Sequence, residues 1–447
     1  MSGMIVHQAY RFALDPTPRQ QGALASAAGG ARFAHNWGLE LVKRRLDARA
    51  AGHDVEVPWT LAALRREWNR AKAEVAPWWA ENSKEAYSSG LDALARGLKN
   101  WADSKAGRRA GATMGFPRPK RKGRSRDACR FTTGAIKVLA DRHHVQLPRL
   151  GVLKTHESTR KLARRLEQGS ARILAATTSR QAGRWFVSFT CEVQRAQRRP
   201  RRPEATIGVD VGVKRLAVLS SGEQVANPRP LATTLRRLRR LSRQLARRHG
   251  PRAPDGTRRA PSAGWRQTRR ELARLHARVT NLRGEALHQL TNHLACEYGT
   301  VVVERLNVAG MIRNRRLARA IADSGMGRVR RLLGYKTMWA GGRLLEATTF
   351  YPSSKTCSGC GMAKATLSLN ERVYRCKACG LELDRDVNAA RNLAALVEMI
   401  ELVVAGSGSE TLQNACVRDC QTIGDGGRSG NPDARREAAG SQQPIRA

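Results

Sequence analysis

The sequence predicts a multidomain α+β protein: a helical domain, a small β-barrel, and an α/β domain that carries a four-cysteine metal module. Three observations predict it. Apolar residues recur at helical spacing through residues 16–105, strand signals run from Ile136 to about residue 195, and C-x2-C-x15-C-x2-C stands at residues 357–379. At 447 residues the chain has room for several domains, each with its own core.

Taken in order, residues 4–14 (MIVHQAYRFAL) alternate loosely and read as a strand. Thr17-Pro18-Arg19-Gln20 follows with an N-cap, a proline at the first helical position and a glutamine able to reach back, which is a capping box. The helix it opens sets Leu24, Ala28, Ala31, Ala34, Leu41 and Val42 along one side. A second helix is expected after Trp59. A third starts near Ser83, where Tyr87, Leu91, Leu94, Leu98 and Trp101 recur at spacings of four and three.

From Gly107 the composition turns to GRRAGATMGFPRPKRKGRSR, which cannot hold a regular element. It reads either as a disordered linker or as an arm that tracks a nucleic-acid backbone through Arg118, Lys120, Arg121, Lys122, Arg124 and Arg126. Strand signals on both flanks favour the arm. They resume as Ile136 to Leu139, Val145 to Leu147 and Ile173 to Thr177, then as Trp185, Val187, Phe189, Cys191 and Val193 on alternate positions. Short strands with such turns suggest a barrel, and His143-His144 reads as one of the turns.

Residues 206–220 (TIGVDVGVKRLAVLS) read as a hairpin of two buried strands, with Gly212 at the bend and Asp210 near the end of the first. Two leucine seams follow. Leu231, Leu235, Leu238, Leu241 and Leu245 form one; Leu272, Leu275, Val279, Leu282, Ala286 and Leu290 form the other. With a Pro/Gly loop between them, they predict an antiparallel helical hairpin. TVVVERLNV (300–308) is a buried strand ending in Glu304. A loop over 313–331, a helix over 332–339 and a strand over 348–351 lead into the cysteines. A last helix is expected to about Val404, followed by a disordered Gly/Ser-rich tail over 405–447.

The formal charge is +44. Residues 405–447 hold five Arg and five acidic residues, so the whole excess lies on residues 1–404. A folded polycation attracts phosphate backbones and steers them in. No apolar run approaches the roughly 20 residues that span a bilayer, and the N-terminus lacks a signal peptide's apolar core. The expected location is therefore the cytoplasm, with no membrane partner.

Cys357, Cys360, Cys376 and Cys379 form two C-x-x-C pairs whose four thiolates can enclose one Zn²⁺ and leave no ligand position open, so the metal would be structural. Disulfides or scattered thiols are the alternative. Cys129, Cys191 and Cys296 stand alone among apolar neighbours and read as small core residues; Cys416 and Cys420 fall in the tail.

Three carboxylates stand out by context. Asp210 and Glu304 sit on apolar strands, where a charge is costly unless a cation meets it, and Asp386 sits at a helix start. If they converge, they could hold two Mg²⁺ ions for in-line phosphodiester hydrolysis. Taken singly, Asp386 could be a helix cap, a role Asp384 fits as well or better; Glu304 could pair with an arginine and Asp210 could begin a turn.

GVDVGVKRLAVLSSG, VVVERLNVAGM, YPSSKTCSGCG and LDRDVNAARNL, in this order, resemble the TnpB family, the transposon-encoded RNA-guided DNA endonucleases once called OrfB transposases. YRFALDPTPRQ, ARFAHNWGL and VQLPRLGVLK support the likeness, which covers residues 5–400 and extends to the compact type V CRISPR effectors. It implies a bilobed protein with a wedge barrel (1–15 and 117–203) interrupted by a helical recognition domain (16–116). An RNase H-like RuvC nuclease domain (204–404) would follow, with the hairpin 229–298 and the zinc module 350–382 inserted. The resemblance also implies that Asp210, Glu304 and Asp386 are catalytic and hold the two Mg²⁺ ions. Asp386, rather than Asp384, matches the aspartate of D-x-N-A-A-x-N.

The implied activity is cleavage of double-stranded DNA beside a short target-adjacent motif, directed by a guide RNA that pairs with the target. Rich in Arg and only 5% aromatic, the chain suits backbone tracking better than base stacking. The alternatives are a guide-directed repressor that binds without cutting, and a DDE-type transposase that acts without RNA.

Overall fold

Two units make up the chain, Met1–Ala196 with Leu241–Ala277, and Gln197–Arg240 with Arg278–Ala447. The computed structural model describes residues 3–196, 198–249, 260–349, 351–368, 370–407 and 417–419.

In the first unit, β1 (Met4–Ala13) leads to α1 (Pro18–Ala50), α2 (Leu61–Val75) and α3 (Lys84–Lys105). The expected capping box opens α1: Thr17 Oγ1 accepts from the Gln20 amide, and Gln20 Oε1 accepts from the Thr17 amide. Ser83 caps α3. The helices share a core in which Leu39, Leu64, Trp68, Tyr87, Leu91 and Leu94 are buried.

The barrel reading takes the form of two sheets. One has the order β1-β7-β6-β2, from β2 (Ala128–Phe131), β6 (Ala171–Gln181) and β7 (Arg184–Arg195). The other comprises β3 (Lys137–Val138), β4 (His144–Leu147) and β5 (Gly151–Lys154), and an isolated bridge between Leu14 and Thr155 links the two. Trp185, Val187, Phe189, Cys191 and Val193 are all buried along one face of β7, as their alternation requires. The Asp141 carboxylate accepts from the amides of His143 and His144, making the expected turn. Helix α4 (Arg160–Glu167) escapes the sequence reading because, of its eight residues, only Leu162 and Ala163 are buried.

The second unit is built on a six-stranded sheet of order β10-β9-β8-β11-β12-β15. Its strands are β8 (Arg202–Asp210), β9 (Arg215–Leu219), β10 (Gln224–Ala226), β11 (Tyr298–Glu304), β12 (Arg343–Ala347) and the short edge β15 (Val417–Asp419). The predicted hairpin is present, with Val209 opposite Leu219 and Asp210 opposite Val218. Strand β11 runs parallel to both β8 and β12. This unit also holds residues 230–240 of α5 (Pro230–Arg247), residues 278–297 of α6 (Ala263–Glu297), α7 (Val308–Met311), α8 (Ala318–Ser324), and α9 (Met326–Ala340) and α10 (Arg385–Ser407), which pack on the sheet. The hairpin β13 (Val373–Arg375) and β14 (Glu382–Asp384) belongs to the cysteine module.

Several expectations are corrected. The segment 313–331 is largely helical, because Gly325, in the left-handed region at φ 67°, only separates α8 from α9. The strand expected over 348–351 lies earlier, at Arg343–Ala347; the Tyr351 amide turns back to the Thr348 carbonyl. Leu282 and Cys296 are exposed: α6 turns the adjacent Leu294 and Ala295 inward, which leaves Cys296 outside. The last helix runs on to Ser407. Of the expected tail, 417–419 pairs with β12; Cys416, Cys420 and most of the rest lie outside the described residues. Among the described residues no helix is long and apolar enough to cross a membrane.

Candidate active site

Parallel pairing sets two of the carboxylates side by side. Val209 lies opposite Val303, so the next residues, Asp210 and Glu304, leave neighbouring strands at their carboxyl ends. Open α/β sheets present ligand sites at such ends. Both side chains are half-buried.

The third carboxylate arrives on α10, which packs directly on β8. A Cβ at Gly208 would stand 1.9 Å from the Ala390 carbonyl oxygen, so only glycine admits the helix this close. Asp210 is two residues along the strand from that contact and Asp386 is four residues back along the helix. Each step covers about 6–7 Å, which brings the first turn of α10 to the end of β8.

The charges of these groups act on one another. Burial pushes the Asp210 carboxyl up to about 7, and the negative charges of Asp386 and Glu304 add to the shift. Burial raises Glu304 as well. Asp384 behaves differently. Burial pushes it up, but the Arg215 side chain and the amides of Asp386 and Val387 outweigh that and hold it below its usual range. Its Oδ1 accepts from the Asp386 amide at 2.9 Å and from the Val387 amide at 3.3 Å, so Asp384 caps α10. Arg215 Nη1 lies 3.0 Å from Asp384 Oδ2 and 3.8 Å from Asp386 Oδ2. Sequence reasoning missed both Arg215 and Gly208, although both lie inside the GVDVGVKRLAVLSSG motif.

Three oxygen-donor side chains, of which burial first and the neighbouring negative charges second push the Asp210 carboxyl up, make a site that a cation would stabilise. That donor set suits a hard divalent cation such as Mg²⁺. Among the described residues, the four cysteines are the only group of three or more His, Cys, Asp or Glu whose ligand atoms all lie within 4.8 Å of one another. The three carboxylates do not all come that close.

The cysteine module is two copies of one turn. In each, the first cysteine's amide bonds the carbonyl five residues on (Met362 and Leu381), and its carbonyl accepts from the glycine four residues on. Those glycines, Gly361 and Gly380, sit at φ 75° and 71°, a conformation the tight turn requires. Cys357 Sγ lies 3.6 Å from Cys379 Sγ, and Cys360 Sγ lies 3.6 Å from Cys376 Sγ. Four sulfurs about 2.3 Å from one ion stand about 3.8 Å apart, so the cluster fits tetrahedral zinc.

The basic arm has no regular element between α3 and β2, as expected. It is anchored in the first unit: Asn36 donates to the Lys120 carbonyl and accepts from the Lys120 amide, and Arg32 pairs with Asp127. Arg118, Arg121, Lys122, Arg124 and Arg126 are exposed, whereas Lys120 is half-buried.

Comparison with known proteins links these parts. The OrfB IS605 family model, described as "Probable transposase", matches residues 188–315, which include Asp210 and Glu304. A model described as "Cas12f1-like, TNB domain" matches 327–393, which include the four cysteines and Asp386. A third, described as "Helix-turn-helix domain", matches 4–50, where this chain forms one strand and one unbroken helix. A Mycobacterium tuberculosis protein provisionally named an RNA-guided DNA endonuclease is 41% identical over 411 residues, 88% of this chain and 86% of its own. Similarly named relatives occur in Streptomyces pristinaespiralis (32% identity, 87% of this chain and 89% of the relative) and Escherichia coli K12 (29%, 87% and 92%).

Proposed function

Because this chain belongs to the TnpB family of OrfB-type transposon proteins, we propose that it is an RNA-guided DNA endonuclease that cuts phosphodiester bonds at Asp210, Glu304 and Asp386. The observation that carries the reading is the convergence of an acid from each of two adjacent parallel strands with an acid from the helix packed on them. The mixed sheet of the second unit supports an RNase H-like, RuvC-type domain, and the cysteine module supports a zinc ribbon inserted in it.

The chain's own residues divide the work. Asp210, Glu304 and Asp386 supply oxygen ligands for two Mg²⁺ ions. Mg²⁺ bound by these three carboxylates would supply the positive charge that in-line phosphodiester hydrolysis needs. Arg215 holds Asp384, and through that cap the helix start on which Asp386 sits. The exposed arginines and lysines of 118–126 grip phosphates without reading sequence, while target choice falls to base pairing between guide RNA and DNA. The protein itself reads a short motif beside the target, in the bacterial cytoplasm on chromosomal DNA.

The test uses protein purified with its co-purifying RNA, a matched duplex and a Mg²⁺ titration. Asp210→Ala and Asp386→Ala are expected to abolish cleavage while RNA-dependent DNA binding persists. Cleavage retained in both variants overturns the site. Binding without cleavage by the wild-type chain at any Mg²⁺ concentration makes it a repressor, and activity that survives RNase treatment and removal of RNA makes it a transposase.

A further inference from the structure

Two asparagines of α10 grip the cysteine module by its backbone. Asn388 and Asn392 lie four residues apart and so share one face of the helix. Both are buried, Asn388 completely. Asn388 Oδ1 accepts from the Ser358 amide at 2.9 Å, and its Nδ2 donates to the Thr356 carbonyl at 2.7 Å. Asn392 Nδ2 donates to the carbonyls of Ser353 and Thr356, each at 2.7 Å. The residues immediately before and after Cys357 are therefore clamped to the helix that presents Asp386.

The second half of the module reaches the same helix by another route. Hairpin β13–β14 runs directly into α10 through Asp384, and the Arg385 amide bonds the Arg372 carbonyl at 2.8 Å. One cysteine pair thus meets the first turn of α10 through the chain, and the other meets the next turns through side-chain amides. A metal joining the two pairs closes the loop and fixes where that first turn can sit.

We propose that zinc in the four-cysteine module sets the divalent-cation affinity of the Asp210/Glu304/Asp386 cluster, with Asn388 and Asn392 as the positioning residues that transmit it. This inference rests on the function proposed above. A buried amide that bonds only the other metal's scaffold touches neither substrate nor cation, so its effect passes through the placement of Asp386. The coupling is reciprocal, because occupancy of either site stabilises the same arrangement of α10.

The experiment measures Mn²⁺ binding, by electron paramagnetic resonance of the free ion, on the full-length protein whose zinc content is determined in parallel. Wild type, Asn388→Ala, Asn392→Ala and Asp210→Ala are compared. The two asparagine variants are expected to keep one zinc and to bind Mn²⁺ about tenfold more weakly, within the range for residues that orient metal ligands. Unchanged Mn²⁺ affinity in zinc-loaded Asn388→Ala and Asn392→Ala overturns the coupling.

Should the variants lose zinc, the reciprocal arm decides. The zinc affinity of the wild type, measured by equilibrium competition with a chromophoric chelator, is expected to rise about tenfold in saturating Mg²⁺, and an affinity indifferent to Mg²⁺ overturns the proposal. Failure of the function itself looks different: the wild type and Asp210→Ala then bind Mn²⁺ alike, and neither cuts DNA.

Discussion

The Asp386 amide donates to Asp384 Oδ1 at 2.9 Å, so the two aspartates that flank Arg385 play different parts. Asp384 spends its charge on the helix start and on Arg215 at 3.0 Å, whereas Asp386 lies further from Arg215, at 3.8 Å, and its charge pushes the Asp210 carboxyl up after burial does. Asp384→Ala should cost about 1 kcal/mol, the usual worth of an N-cap, and lower the melting temperature by roughly 2–4 °C. Cleavage should fall less than about tenfold, whereas Asp386→Ala should bring it to background. Equal losses in the two, read in one kinetic assay, would reverse the assignment.

Gly208→Ala should separate the acids without touching any of them. Its Cβ would meet the Ala390 carbonyl at 1.9 Å, a backbone atom that cannot rotate away, so α10 must shift off β8. Overpacking of this kind costs about 1–3 kcal/mol. Denaturant unfolding should show that loss, and cleavage should fall far more than stability does. Activity unchanged in a destabilised Gly208→Ala protein would mean that Asp386 need not sit where α10 holds it.

The raised Asp210 pKa makes stability depend on pH in a stated direction. The folded carboxyl holds its proton up to about 7, while the unfolded one releases it near 3.8. Between these values the folded state binds more protons, so stability falls as pH rises; below the window both states are protonated, and above it the penalty is complete. At about 1.4 kcal/mol per pKa unit, and with partial exposure to water, the loss is about 1–4 kcal/mol. In cation-free buffer Asp210→Asn should therefore melt higher than wild type at pH 8, and Mg²⁺ should raise only the wild-type value. Identical melting profiles from pH 4.5 to 8 would contradict a raised Asp210 pKa.

Removing zinc should unfold the cysteine module before any chemistry is lost directly. The module buries few large apolar groups apart from Tyr374, so metal binding is expected to outweigh the roughly 1 kcal/mol of any single hydrogen bond. Chelation or Cys357→Ser should produce a marked fall in melting temperature together with loss of one zinc per chain, measured by mass spectrometry of the metal. A melting curve indifferent to zinc content would exclude the structural role.

The arm should act by charge alone. Arg121, Lys122 and Arg124 are exposed, so changing all three to Gln should leave melting unaltered. If each contacts a phosphate, the slope of log affinity against log salt should become shallower by roughly 0.7–0.9 per residue. Nucleic-acid binding measured at several salt concentrations checks this, and an unchanged slope would show that the arm faces away from the backbone.

Local chemistry was enough to read much of this protein. The Thr17–Gln20 capping box, the alternation along β7 and the paired C-x-x-C turns each depend on residues within a few positions of one another, so spacing alone determined them. The same holds for Asp384 as a cap, which needs only the amides that follow it. Helix α4, the extent of α8 and α9, and the outward turn of Leu282 and Cys296 were not legible, because an arginine-rich helix hides its narrow apolar face and burial depends on what packs there. The acids could be nominated one by one from their context. Only the tertiary structure sets them near one another, Asp210 and Glu304 by a parallel register and Asp386 by a helix seated on Gly208. Those contacts join residues far apart in the chain, and no local pattern records them.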